Sequence, residues 1–206
     1  GETAEMPGLY PKGEYDLVGT VVGTVERKKL ITGKKIRKGD VIIGLPSTGL
    51  QTNGYSLARH IIFKKAGMKL SDFVPGTRTT FEKALLAIHK SYLHPVSAVM
   101  KKVNIHGMAH ITGGGLYDNI PRILPETVDA VIDTSSWKPP AIFSFMQEAG
   151  KVSSDEMFRV FNMGIGYMLI VSKKDADATL KILKKEKQPA KVIGEIQAGK
   201  RTTVLI

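Results

Sequence analysis

Apolar and polar positions along this chain follow two rhythms, and the change from one to the other predicts helices interleaved with strands. Residues 15–26 set Val18, Val21, Val22 and Val25 among small residues, the β-branched composition of a long strand. Residues 27–39 are basic and contain glycine, which predicts a hairpin or linker and a domain boundary. A short apolar strand follows at 40–45 and stops at Pro46, Ser47 and Gly49. Asn53 can cap a helix running to about Ala66, with Leu57, Ala58, Ile61 and Ile62 on one face and Gly67 at its end. Further helices are predicted at 81–89, from Pro95 through Val103, at 116–123 with a break at Pro121, at 141–148 and at 154–161. The last has Ser153 or Ser154 as its cap, with Asp155 and Glu156 in its first turn. Residues 175–185 carry the clearest amphipathic pattern: Ala176, Leu180 and Leu183 share a face, acids come first and lysines last. Strands are expected at 108–111, at the alternating 128–132, at 191–196 and at 202–206. The run 167–171 is apolar without interruption, so both of its faces are buried and helices must cover both sides of a sheet. The class that results is α/β (α+β), a layered sandwich with a mixed sheet flanked by helices.

Composition narrows this picture. A length of 206 residues suits one good-sized core, or one domain with a piece of another. No stretch approaches the roughly 18 to 20 apolar residues that cross a bilayer, and a soluble, cytoplasmic protein is expected. The absence of cysteine excludes disulfides, thiolate zinc sites and cysteine nucleophiles together. A formal charge of +11 gathers at 27–38 and 173–191. Neither cluster is interleaved with stacking aromatics and the single tryptophan, Trp137, lies far from both in sequence, so solvated faces are a better reading than a nucleic-acid surface.

Five segments can carry chemistry. In HITGGG (110–115) an apolar strand runs into Gly113, Gly114 and Gly115, which let backbone N–H groups converge on an anion ahead of a helix. The same turn is also simple punctuation. His110 reads either as a general base, since imidazole titrates near neutrality, or as a hydrogen-bonded structural histidine. QTNGYSL (51–57) puts Thr52, Asn53, Gly54 and Ser56 at a helix start, as phosphate receivers or as an ordinary cap. YDNIPR (117–122) offers Arg122 as a phosphate clamp or as a helical partner of Asp118. FNMGIG (161–166) places Asn162, Gly164 and Gly166 between a helix and the most buried strand, where an amide oxygen can ligate magnesium or the turn can merely end the helix. GETAEMPG (1–8) presents Glu2 and Glu5 as hard oxygen ligands or as an exposed acidic loop.

In this order and spacing the five segments resemble the aminoimidazole ribonucleotide synthetase (phosphoribosylformylglycinamidine cyclo-ligase) family, over nearly the whole chain. The resemblance implies an enzyme of purine biosynthesis that uses ATP and Mg2+ to close the imidazole ring of formylglycinamidine ribonucleotide, and a homodimer. It implies that residues 1–34 are the tail of a preceding ATP-binding domain plus linker, and 35–206 the C-terminal domain. It also favours Glu2 and Asn162 as metal-facing and Asn162 and Gly164 as nucleotide-facing; the candidate set read from the residues themselves adds His110 as catalytic and Thr52, Asn53, Gly54, Gly113, Gly114 and Gly115 as nucleotide- or phosphate-facing. The family commonly has cysteine where this chain has Met163, so a thiol there is not essential if the protein is active. The alternatives are another ATP-using member of the superfamily, such as a small-molecule kinase, and a non-catalytic basic binding module.

Overall fold

The computed structural model describes residues 13–15 and 19–206, and the chain divides into two units between Leu30 and Ile31. In the first, residues 19–26 form no strand, and one 3-10 turn, Arg27–Lys29, follows. This corrects the strand expected at 15–26, of which residues 16–18 lie outside the described residues. The reason is a missing ladder: Val21 and Val22 are 95% and 90% exposed, and β propensity without a partner strand and a buried face does not make a strand.

The second unit is built on a six-stranded sheet. Its strands are β1 (Val41–Pro46), β2 (Ile105–His110), β3 (Val128–Ile132), β4 (Ile165–Val171), β5 (Lys191–Ala198) and β6 (Thr203–Leu205). The spatial order is β2-β4-β1-β5-β3-β6, antiparallel throughout except for the parallel pair β3/β6, so the sheet is mixed as expected. Alternation along β4 sends Met168 and Ile170 into one apolar cluster and Leu169 and Val171 into another, each fully buried. Truncating any of the larger three to alanine costs about 2–5 kcal/mol.

Helices cover both faces. On one lies α4 (Gly115–Asn119) with the 3-10 turn Pro121–Ile123, burying Leu116 and Ile120. On the other lie α3 (Leu93–Met100) and α7 (Ala176–Lys185), with Val96, Val99 and Leu183 turned inward. A third cluster joins α1 (Tyr55–Arg59), α2 (Phe81–Leu85), α5 (Ala141–Gly150) and α6 (Ser154–Val160) around Ile62, Phe81, Phe143 and Met157. Three boundaries differ from expectation. The first helix is capped by Gly54 at φ +75° with no side-chain cap bond, because Asn53 turns its amide to Gln51 O instead, and it continues as a π-helical turn, His60–Lys65. Helix α2 stops at Leu85, and α3 begins two residues ahead of Pro95. Ser153 caps α6, accepting from Glu156 N.

Candidate functional site

Sheet topology explains why distant glycine turns meet. Because β1 and β4 are antiparallel neighbours, the loop leaving β1 at Pro46 emerges beside the turn entering β4 at Ile165. Because β2 is antiparallel to β4 on the other side, with His110 opposite Tyr167, the HITGGG turn leaves from the same end. Ser47 N donates to Gly164 O at 2.9 Å and stitches the first pair of loops.

Two buried asparagines hold the turns. Asn162, 2% exposed, donates to Gly49 O (2.8 Å) and Leu50 O (3.1 Å) and accepts from Gly164 N (2.8 Å) and Ser47 Oγ (2.9 Å). Its amide is fully occupied with protein partners. Asn119, 5% exposed, donates to the carbonyls of Thr112, Gly113 and Gly115 (3.2, 3.2 and 2.8 Å) and accepts from Thr112 Oγ1 and Arg122 Nη1. Arg122 therefore serves Asn119. With its carbonyls drawn inward, the turn leaves the amides of Thr112, Gly113 and Gly114 without a hydrogen bond among the described residues. Consecutive free amides in a glycine turn are suited to receive an anion.

Glycine is required at two of these positions. Gly115 has φ +55°, and a Cβ there would run into the backbone carbonyl of Phe158; Gly54 has φ +75° and lies against the Phe161 ring. Gly113 faces the other loop, where a Cβ would lie 3.4 Å from Asn53 Oδ1. Asp118 is packed beside Gly114 and half-exposed, with Arg159 Nη1 at 3.6 Å. Gly166 has a spatial task, since a Cβ there would collide with the Gln51 amide and the Tyr92 hydroxyl. Gln51 Oε1 is buried without a hydrogen-bond partner among the described residues.

His110 is not alone. Its Nε2 lies 3.2 Å from His89 Nε2, and His89 Nδ1 lies 3.3 Å from Thr52 Oγ1. The Thr52 hydroxyl donates to Gln51 O, so it accepts from His89 Nδ1–H; that leaves His89 Nε2 as acceptor and His110 Nε2–H as donor when both rings are neutral. Burial, and then the neighbouring His89, holds the His110 imidazole below its ordinary pKa. Gln51 (φ 51°) and Thr52 (φ 68°) are both left-handed, a conformation that costs non-glycine residues about 1–3 kcal/mol each and collects at functional loops. The two imidazoles, Tyr92 and Tyr167 line a cavity of about 400 Å3. Burial raises both tyrosine hydroxyls above the ordinary phenol range, so they stay neutral donors.

The predicted residues Thr52, Asn53, Gly54, His110, Gly113, Gly114, Gly115, Asn162 and Gly164 thus share one end of the sheet. Glu2 and Glu5 lie outside the described residues. Sequence reasoning missed His89, which sits in a loop with no periodicity to mark it, and the organising role of Asn119. Among the described residues no three His, Asp or Glu side chains cluster as a metal cage, and no helix is long and apolar enough to cross a membrane.

Fold and site define a class: residues 37–206 match the family model for AIR synthase related protein, C-terminal domain, and the chain belongs to that family. The phosphoribosylformylglycinamidine cyclo-ligase of Alkaliphilus oremlandii is 47% identical over 205 residues, covering 100% of this chain and 60% of that protein. The chloroplastic/mitochondrial enzyme of the same name from Vigna unguiculata is 49% identical over 205 residues, covering 98% and 52%. The chain therefore spans 60% or less of these two relatives. Among solved structures, thiamine-monophosphate kinase from Stenotrophomonas maltophilia superposes with TM-score 0.59 at 14% identity, covering 88% of this chain and 54% of that one. Hydrogenase maturation protein HypE in complex with ATP gives 0.56 at 16% identity, covering 84% and 49%. These two likenesses establish the shared fold.

Proposed function

We infer that this chain supplies the phosphate-facing wall of an ATP-dependent cyclo-ligase that converts formylglycinamidine ribonucleotide to aminoimidazole ribonucleotide in the cytoplasm. The observation that carries the reading is the row of free amides at Thr112, Gly113 and Gly114, brought beside Asn53 and Gly54 in a member of this family. The formyl oxygen takes the γ-phosphoryl group and ADP leaves; an amidine nitrogen then attacks the formyl carbon, phosphate departs and the ring closes. Such a transfer asks the protein for positioning and charge neutralisation. The turn amides hold phosphoryl oxygens, and His110, kept neutral, takes a proton during ring closure. Thr52 orients the histidine pair.

Magnesium binding calls for one or two carboxylates completed by phosphate oxygens. Asp118 fits that need, being half-exposed beside Gly114, and Glu2 is its proposed companion. The ion would neutralise polyphosphate charge. Asn162 does not fit a ligand's role, because each of its amide atoms already holds the loops, and it is a positioning residue. Residues 1–34 are read as the tail and linker of a preceding ATP-binding domain, 35–206 as the C-terminal domain, and the full-length enzyme as a homodimer.

The test is the full-length gene product incubated with ATP, magnesium and formylglycinamidine ribonucleotide. Aminoimidazole ribonucleotide formed in step with ADP supports the reading. ADP and a phosphorylated product with no ring would make it a kinase, and no ATP turnover would remove the assignment.

A further inference from the structure

A second cavity, of about 620 Å3, opens between the C-terminal end of α7 and the start of β4, and its volume suits a nucleotide-sized ligand. Lys138, Lys184, Lys187 and Lys191 stand around it; among the described residues no acidic side chain lines it and none of the four lysines has an ion-pair partner. Four ammonium groups around one opening repel each other, and a bound polyanion relieves that repulsion. The wall is apolar and aromatic, formed in part by Ile165 and Trp137. The indole is fixed: its Nε1 donates to Met163 O at 2.8 Å, and its ring meets Phe158 edge-on at 6.4 Å. A ligand that satisfies cavity and rim together has a flat aromatic part and at least two negative charges. The pocket also backs onto the glycine turn, since Trp137 bonds the residue between Asn162 and Gly164.

We propose that this cavity binds an aromatic phosphate ester of nucleotide size, at a place distinct from the glycine-turn wall, and that occupancy is transmitted to the FNMG turn through the Trp137–Met163 hydrogen bond. The cyclo-ligase reading is not needed for it. Trp137 is the single tryptophan of the chain, so its emission reports on the pocket directly. The protein is titrated with ADP, inorganic pyrophosphate and adenosine in parallel, as wild type and as the K184Q/K187Q variant, whose two side chains are exposed and outside the glycine-turn site. The expected result is a saturable change with ADP, weaker binding of pyrophosphate and of adenosine, and loss of about tenfold or more in ADP affinity in the double variant, as two charge-assisted contacts disappear. Added salt lowers the affinity of the wild type and has less effect on the variant. No saturable change in emission overturns the proposal. So does ADP affinity equal in wild type and variant, which would place the nucleotide at the glycine turns instead.

Discussion

Replacing Asn162 with alanine removes one side chain and strands two buried backbone groups, the Gly164 amide and the Gly49 carbonyl, while the Leu50 carbonyl keeps only the Asn53 amide at 3.4 Å. An unsatisfied buried group costs about 1–3 kcal/mol, and partial relaxation or an entering water recovers some of that, so the expected loss is about 2–4 kcal/mol. Against a total stability of about 5–15 kcal/mol this leaves a folded but fragile protein. The assay is urea unfolding followed by circular dichroism, with the midpoint falling while the slope m stays constant. The turns also lose their seam, so on the proposed function affinity for Mg-ATP falls together with stability. A variant with a midpoint corresponding to less than about 1 kcal/mol of lost stability, yet unable to bind Mg-ATP, would show that Asn162 is a ligand and refute the structural role.

Gly115→Ala should cost about 3 kcal/mol or more by thermal unfolding, from left-handed strain together with overlap on the Phe158 carbonyl, whereas Gly113→Ala should stay within about 0.5 kcal/mol. Because the folded state holds His110 below its ordinary pKa, the unfolded chain binds more protons just below that ordinary value. Stability from this group is therefore complete above about pH 6.5 and is lost as pH falls from there through the folded pKa. Urea midpoints at pH values about one unit above and one unit below the ordinary imidazole pKa should accordingly differ less in His110→Asn than in the wild type. His89→Ala should move the His110 titration, followed by NMR, upward. Asp40 Oδ2 lies 2.7 Å from Nδ1 of the buried His106, and Asp40→Ala should cost about 1–3 kcal/mol in equilibrium unfolding by leaving that ring nitrogen without its partner.

Most of the second unit was legible because its signals are local. The unbroken apolar run at 167–171 announced a strand buried on both faces, and β4 is one; the amphipathic pattern at 175–185 became α7 within a residue. The helix start at Asn53 was misread because an N-cap and an Asx-type bond to Gln51 use the same side chain, and sequence does not say which the backbone will choose. The strand expected over 15–26 is absent at 19–26 because propensity speaks for a residue and not for its partner across the ladder. At the site, glycine marked the turns, but what orients them was invisible. Asn119 and Asn162 act on carbonyls in their own turn and in a loop more than a hundred positions away, and His89 meets His110 across 21 residues.

The order of strands carries a consequence for folding. None of β1, β2 and β3 pairs with another of the three; each waits for β4, β5 or β6, which begin at Ile165. A chain that has reached α6 therefore holds three of the six strands of this sheet and none of its ladders. Pairing of β1, β2 and β3 thus waits until residues 165–206 are available, which makes slow closure of long loops a property of the topology itself.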